Sequence, residues 1–256
     1  MNASCIDLNC DLGESFGAWR MGEDEALLAV VSSANIACGF HGGDPDIMRR
    51  TVALAAERGV AIGAHVSLPD LQGFGRREMA VTPAETYALT LYQIGALHAF
   101  AQAAGSRLSH VKPHGALYNM AARDLTLATA IAEAVRDFSP RLRLVGLAGS
   151  ALIDAGESAG LPVAAEAFAD RRYRADGSLQ PRREPDAVIA DSAEAVAQAV
   201  AIAREGRVRA VDGSVVALHA DTLCLHGDNP HAVASSRLLR QALEAAGLRI
   251  AAPGHA

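Results

Sequence analysis

The sequence predicts an α/β fold: one domain over residues 1–256, built as a closed parallel β/α barrel. Three observations carry this expectation. Apolar runs of strand length alternate with capped helical stretches along the chain, with no linker or composition break. The runs repeatedly end in His, Asp, Glu or Lys beside glycine, which is how parallel α/β proteins place functional groups at the carboxyl ends of their strands. Alternate residues also divide the runs into an aliphatic face and a small or polar one. An open doubly wound sheet is buried on both faces and reads as apolar on both. One polar face therefore favours helices outside and a polar lumen inside. The alternative, a Rossmann-like sheet, is weakened because no GxGxxG follows the first strand.

Strands are expected near 4–9, 33–38, 60–65, 108–112, 142–147, 163–166, 187–189 and 222–226. In the first, Ile6 and Leu8 oppose Asp7, Asn9 and Asp11. In the second, Ile36 and Cys38 oppose Ser33, Asn35 and Ala37. In the third, Val60 and Ile62 oppose Ala61, Gly63 and His65. The fourth aligns His110, Lys112 and, if the chain stays extended, His114. The last sets Cys224 and His226 against Leu223 and Leu225. Between them, Asp44-Pro45 caps a helix that Gly59 can close. Thr82-Pro83-Ala84-Glu85 reads as a capping box for a long helix ending at Gly105. Asp191 opens a helix ending near Gly206, and Asn229-Pro230 opens the last, ending at Gly247.

Bulk properties exclude several function classes. The net charge of −6 and the lack of any Lys/Arg block or zinc-finger spacing argue against nucleic acid as a partner. No apolar run reaches membrane-spanning length, and Cys5, Cys10, Cys38 and Cys224 form no CxxC, so a cytoplasmic location is expected.

Asp7, Asp11, Glu14, His41, His65, Lys112, His114, Glu166, Asp170, Arg171, His226 and Asp228 all fall at strand ends. Burying unpaired charges costs several kcal/mol or more each, so a fold seldom gathers this many at one rim for packing alone. Paired acids, bases and cations are what catalysis needs. Two chemistries fit. Asp11, His41 and His65 are the candidates for a metal site, but their spacing is not that of a helical metal motif and no resident metal is predicted. Alternatively, Lys112 neutralises a phosphate or oxyanion while carboxylates and histidines move protons. Arg76-Arg77 lies in a glycine-flanked loop that suits either solvent or an anion.

The segments DLNCDLGESFG, SSANIACGFHGGDP, GVAIGAH, DLQGFGRREM, LYQIGAL, HVKPHGALYN, GLAGS, EAFADRRYRADGSLQPR and DTLCLHGDN closely resemble the LamB/YcsF family, from Asp7 to Asn229. Gly42, Val66 and Leu68 depart from the family's pattern without touching an ionisable group. The resemblance implies a TIM-barrel-like, seven-stranded barrel of the glycoside hydrolase/deacetylase type. It also implies ATP-dependent opening of 5-oxo-L-proline to L-glutamate with release of ADP and phosphate, in concert with two further subunits, B and C. ATP, with Mg²⁺, is the expected cofactor. The residues expected to carry catalysis are Asp11, Glu14, His41, Lys112, His114 and Asp170. Asn9, Asn35, His65, Arg76, Arg171, His226 and Asp228 are expected to bind substrate or nucleotide. The competing readings are a metal-dependent amide or N-acetyl hydrolase and a non-catalytic assembly partner.

Overall fold

The computed structural model describes residues 5–225 and 232–254. Its elements run β1 (Cys5–Leu12), α1 (Asp24–Leu28), β2 (Ser33–Ala37), α2 (Pro45–Glu57), β3 (Ala61–Val66), α3 (Pro83–Ala103), β4 (Leu108–Pro113), α4 (Gly115–Arg123) and α5 (Leu125–Phe138). There follow β5 (Arg143–Leu147), α6 (Ala151–Ser158), β6 (Val163–Phe168), α7 (Ser192–Glu205), β7 (Arg207–Arg209), β8 (Val215–Ala217), β9 (Thr222–Leu225), α8 (Ala232–Ala245) and β10 (Arg249–Ile250).

Strands β1 to β6 and β9 pair in parallel in that order, and β9 pairs back onto β1, so seven strands close into a barrel. Strand β10 adds a short parallel pairing beside the start of β1, while β7 and β8 form a separate antiparallel hairpin. One expected strand is corrected. Residues 187–189 form no barrel strand; Val188 makes only an isolated bridge to Arg171 in the long connection after β6. Their short apolar run instead seals that loop, with Ala187 and Ile189 buried. No helix among the described residues is long and apolar enough to cross a membrane.

Local chemistry accounts for the helix starts. Asp44 accepts hydrogen bonds from the amides of Asp46 and Ile47, with Pro45 in the first turn of α2. Thr82 and Glu85 form the reciprocal capping box of α3. Asp191 caps α7, which ends on Gly206 in the left-handed conformation that glycine adopts without strain. The helix start at Asn229-Pro230 lies outside the described residues.

The barrel wall follows the alternation in the sequence. Ile6, Leu8, Ile36, Ile62, Val66, Val111, Leu144 and Leu223 are buried in the apolar core that the helices share. The intervening residues fill the lumen with hydrogen bonds. Asp7 accepts from the hydroxyls of Ser32, Ser33 and Thr222 at 2.6–2.8 Å. One step up, Asn9 donates to Glu166 at 2.9 Å and Thr222 at 2.7 Å. Asn35 donates to Asn9 at 2.7 Å and to Asp11 at 2.8 Å.

Gly63 makes this filling sterically consistent. A Cβ at that position would stand 2.0 Å from His110 Nε2. Gly63→Ala is therefore expected to displace the imidazole from Asn35 and to destabilise the barrel by about 1–3 kcal/mol, the usual cost of overpacking. Denaturant unfolding checks this, and a midpoint equal to wild type would refute it.

Candidate active site

The polar residues emerge at the carboxyl ends of the strands. Glu14 follows β1, His41 follows β2, His65 sits near the end of β3, and Lys112 and His114 lie at the end of β4. Glu14, His41, His65 and His114 each offer a ligand atom, and all four atoms lie within 4.8 Å of one another.

Hydrogen bonding fixes how two of the imidazoles present themselves. His65 Nδ1 lies 2.9 Å from the Lys112 carbonyl, so that nitrogen carries a proton and, in the neutral ring, Nε2 holds the lone pair. His114 Nε2 lies 2.9 Å from the Phe74 carbonyl, so its lone pair sits on Nδ1. These two lone-pair nitrogens face each other at 2.9 Å. Asp11 Oδ2 stands 3.2 Å from His65 Nε2, and Glu14 Oε1 stands 3.6 Å from His114 Nδ1 and 3.2 Å from His41 Nε2. The His41 ring stacks on His114 at 3.8 Å, and its Nδ1 is buried without a hydrogen-bond partner among the described residues. Acceptors converging in this way repel one another unless positive charge lies among them.

The second nitrogens of His65 and His114 are anchored to backbone carbonyls, the arrangement that orients metal ligands. Burial, reinforced by the neighbouring histidines, holds His41 and His114 well below the usual imidazole range and keeps their lone pairs available. Three imidazoles and a carboxylate suit zinc or a related transition ion better than Mg²⁺. Of the candidate trio Asp11, His41 and His65, the histidines join this cluster, and Asp11 borders it.

A buried lysine adjoins the cluster. Lys112 Nζ lies 3.0 Å from Asp11, 2.8 Å from Glu166, 3.2 Å from Asn9 Oδ1 and 3.2 Å from Cys224 Sγ. Burial opposes its charge, yet Asp11 and Glu166 outweigh that and raise its pKa well above the ordinary value. For Asp11 burial likewise opposes ionisation, and the cationic surroundings, Lys112 among them, prevail to hold the carboxyl well below its usual range.

The other expected residues take varied places. Asn9 and Asn35 lie within the barrel, holding Lys112 and Asp11 from below. Arg76 and Arg171 line the cavity above the cluster, about 750 Å³ in volume. Asp170 sits half-buried in the loop after β6, and His226 and Asp228 lie outside the described residues. Glu166, buried and bonded to Lys112, is a charged strand end to which the sequence assigned no role. Its parity along β6, two residues before Phe168, was the available signal. Phe74 escapes sequence reasoning altogether: its contribution is a backbone carbonyl, and its φ of 56° is a conformation uncommon outside glycine.

His110, one layer lower, gives a pH prediction. Asn35 Oδ1 accepts from His110 Nε2 at 2.8 Å. Burial, then the charge of Lys112, lowers the His110 pKa from 6.5 to about 3. Between those values the unfolded chain binds a proton that the native state refuses. Stability from this group is therefore full above pH 6.5 and is lost as pH falls toward 3. The loss at pH 5 is about 2 kcal/mol. His110→Gln is expected to flatten this slope in denaturant unfolding at a series of pH values, and an unchanged slope would refute it.

Fold and site together define a parallel β/α barrel of deacetylase shape with a histidine–carboxylate centre at its mouth. The LamB/YcsF family model matches residues 6–256, and the chain belongs to the LamB/YcsF family. It is 62 % identical over 247 residues to a Bordetella pertussis protein named as the A subunit of 5-oxoprolinase, covering 96 % of this chain and 98 % of the relative. A lactam utilization protein from Thermus thermophilus superimposes with a TM-score of 0.92 at 52 % identity, covering 97 % of this chain and 99 % of that one. The catalytic domain of a peptidoglycan N-acetylglucosamine deacetylase from Eubacterium rectale shares the fold at a TM-score of 0.52 and 12 % identity, covering 99 % of this chain and 90 % of that one.

The expected cofactor, ATP with Mg²⁺, is overturned. The rim residues of this LamB/YcsF barrel converge as a metal-type cluster rather than a nucleotide site. The lysine expected to meet phosphate is already neutralised by Asp11 and Glu166.

Proposed function

We propose that this chain is the lactam-opening component of a 5-oxoprolinase, hydrolysing the cyclic amide of 5-oxo-L-proline to L-glutamate alongside partner subunits B and C. The names of relatives matched along nearly their whole length support the reaction and the assembly. The observation that carries the reading is a single hydrolytic constellation: Asp11 and Lys112 beside Glu14, His41, His65 and His114.

Glu14, His41, His65 and His114 fit a divalent transition ion, which when bound supplies Lewis-acid polarisation of a carbonyl or acidification of water. The remaining chemistry belongs to the chain. Lys112 keeps Asp11 ionised and fixes the orientation of its carboxylate. Asp11 Oδ1 is held by Lys112 and Asn35, and Oδ2, 3.2 Å from His65 Nε2, is the oxygen that takes the proton of the attacking water and returns it to the departing ring nitrogen.

The test is glutamate release from 5-oxo-L-proline by the enzyme reconstituted with its partner subunits. Asp11→Asn is expected to lower kcat by about 10²–10⁴, the usual worth of a general base, while co-purification with the partners persists. Normal turnover in that variant would support an assembly role instead.

A further inference from the structure

The cavity mouth carries positive charge that the hydrolytic centre does not use. Arg171, Arg174, Arg182 and Arg183 line it, although the chain as a whole has a net charge of −6. Arg174 is paired with Glu184 at 2.7 Å. Arg171 differs. It is only 6 % exposed, and its Nε and Nη2 donate to the carbonyls of Ala187 at 3.3 Å and Gln180 at 2.6 Å. Among the described residues, no carboxylate stands within ion-pair distance of its guanidinium. Burial, with the like charge of Arg182 next in weight, lowers its pKa to about 10. Two carbonyls thus fix the orientation of a buried cation that meets no carboxylate among the described residues. Such a group is costly unless an anion meets it.

We infer that Arg171, assisted by Arg182, forms the subsite that binds the carboxylate of the substrate. This rests on the lactam-hydrolase reading and deepens it by assigning the residues that recognise the free carboxylate on the carbon next to the ring nitrogen. In 5-oxo-L-proline that carboxylate and the scissile carbonyl flank the same nitrogen. One end can therefore be held by Arg171 while the other faces Asp11 and His65, which line the same cavity. Guanidinium suits the task because its planar donors match a carboxylate. The subsite also discriminates, because a neutral lactam would leave the buried cation unpaired.

The test compares 5-oxo-L-proline with its uncharged carboxamide in the reconstituted enzyme, following ring opening of each. Arg171→Gln is expected to lower kcat/KM for 5-oxo-L-proline roughly 10²-fold, mostly through KM, and to change the carboxamide little. Arg171→Lys should restore only part, since charge returns without the fork. Arg182→Gln, at an exposed position where substitution changes stability little, should raise KM for 5-oxo-L-proline several-fold with a much smaller effect on the carboxamide. Equal losses on both compounds in the Arg171 variants, or no carboxylate-selective effect of Arg182→Gln, would overturn the inference. Absence of glutamate release by the wild-type enzyme would instead defeat the hydrolase reading beneath it.

Discussion

Lys112→Met is expected to abolish turnover and to weaken the fold at the same time. Lys112 is 2 % exposed and bridges Asp11 and Glu166, so removing its charge leaves two carboxylates facing each other in the barrel. Breaking a buried ion pair by deleting one partner costs about 3–5 kcal/mol, a large share of the roughly 5–15 kcal/mol that holds a domain together. Methionine retains the aliphatic stem, so the loss reports on charge rather than volume. Under conditions where the variant remains folded, glutamate release should fall at least ~10²–10³-fold, the effect of removing one preorganised electrostatic contact. Denaturant unfolding and turnover, measured on the same sample, check both halves. A variant with wild-type stability would refute the structural role of this charge bridge, and near-normal turnover would remove Lys112 from the mechanism.

The second large effect concerns the histidine cluster. Protein purified without chelator or histidine tag is expected to carry close to one divalent transition ion per chain by elemental analysis. His114→Gln removes the lone pair that faces His65 at 2.9 Å. It should cost metal affinity more than the roughly 10–100-fold typical of groups that merely orient a ligand. The wild-type chain should also gain thermal stability with added zinc, by about 2.7 kcal/mol at a hundredfold excess over Kd, and the variant should gain far less at the same concentration. Bound metal and a zinc-induced shift equal to wild type in His114→Gln would exclude His114 as a ligand. A metal-free wild-type chain that ignores zinc would refute the site.

Much of the architecture was legible along the chain because it is local or periodic. The caps at Asp44, Thr82 and Asp191 each need only three or four neighbouring residues. The polar lumen was readable because side chains alternate every second residue, so Asp7, Asn9 and Asp11 had to share a face. Parity also placed His65 and Lys112 inward, and barrel closure at β9 agrees with the polar face that recurs from strand to strand. The run at 187–189 misled because three apolar residues look alike in a strand and in a buried loop; only the surrounding packing separates them.

The chemistry at the mouth was another matter. The sequence by itself determined the class of barrel, the family and the rim on which the ionisable residues stand. Which of those residues meet was decided by tertiary structure, since Asp11, His65, Lys112 and Glu166 are far apart in sequence and become neighbours only when the strands close in register. The direction of each imidazole lone pair depends on backbone carbonyls of Lys112 and Phe74, groups that every residue possesses and no sequence pattern marks. That is why Lys112 read from the sequence as a cation awaiting phosphate, whereas in the fold two carboxylates already hold it and three histidines with Glu14 face a common point beside it.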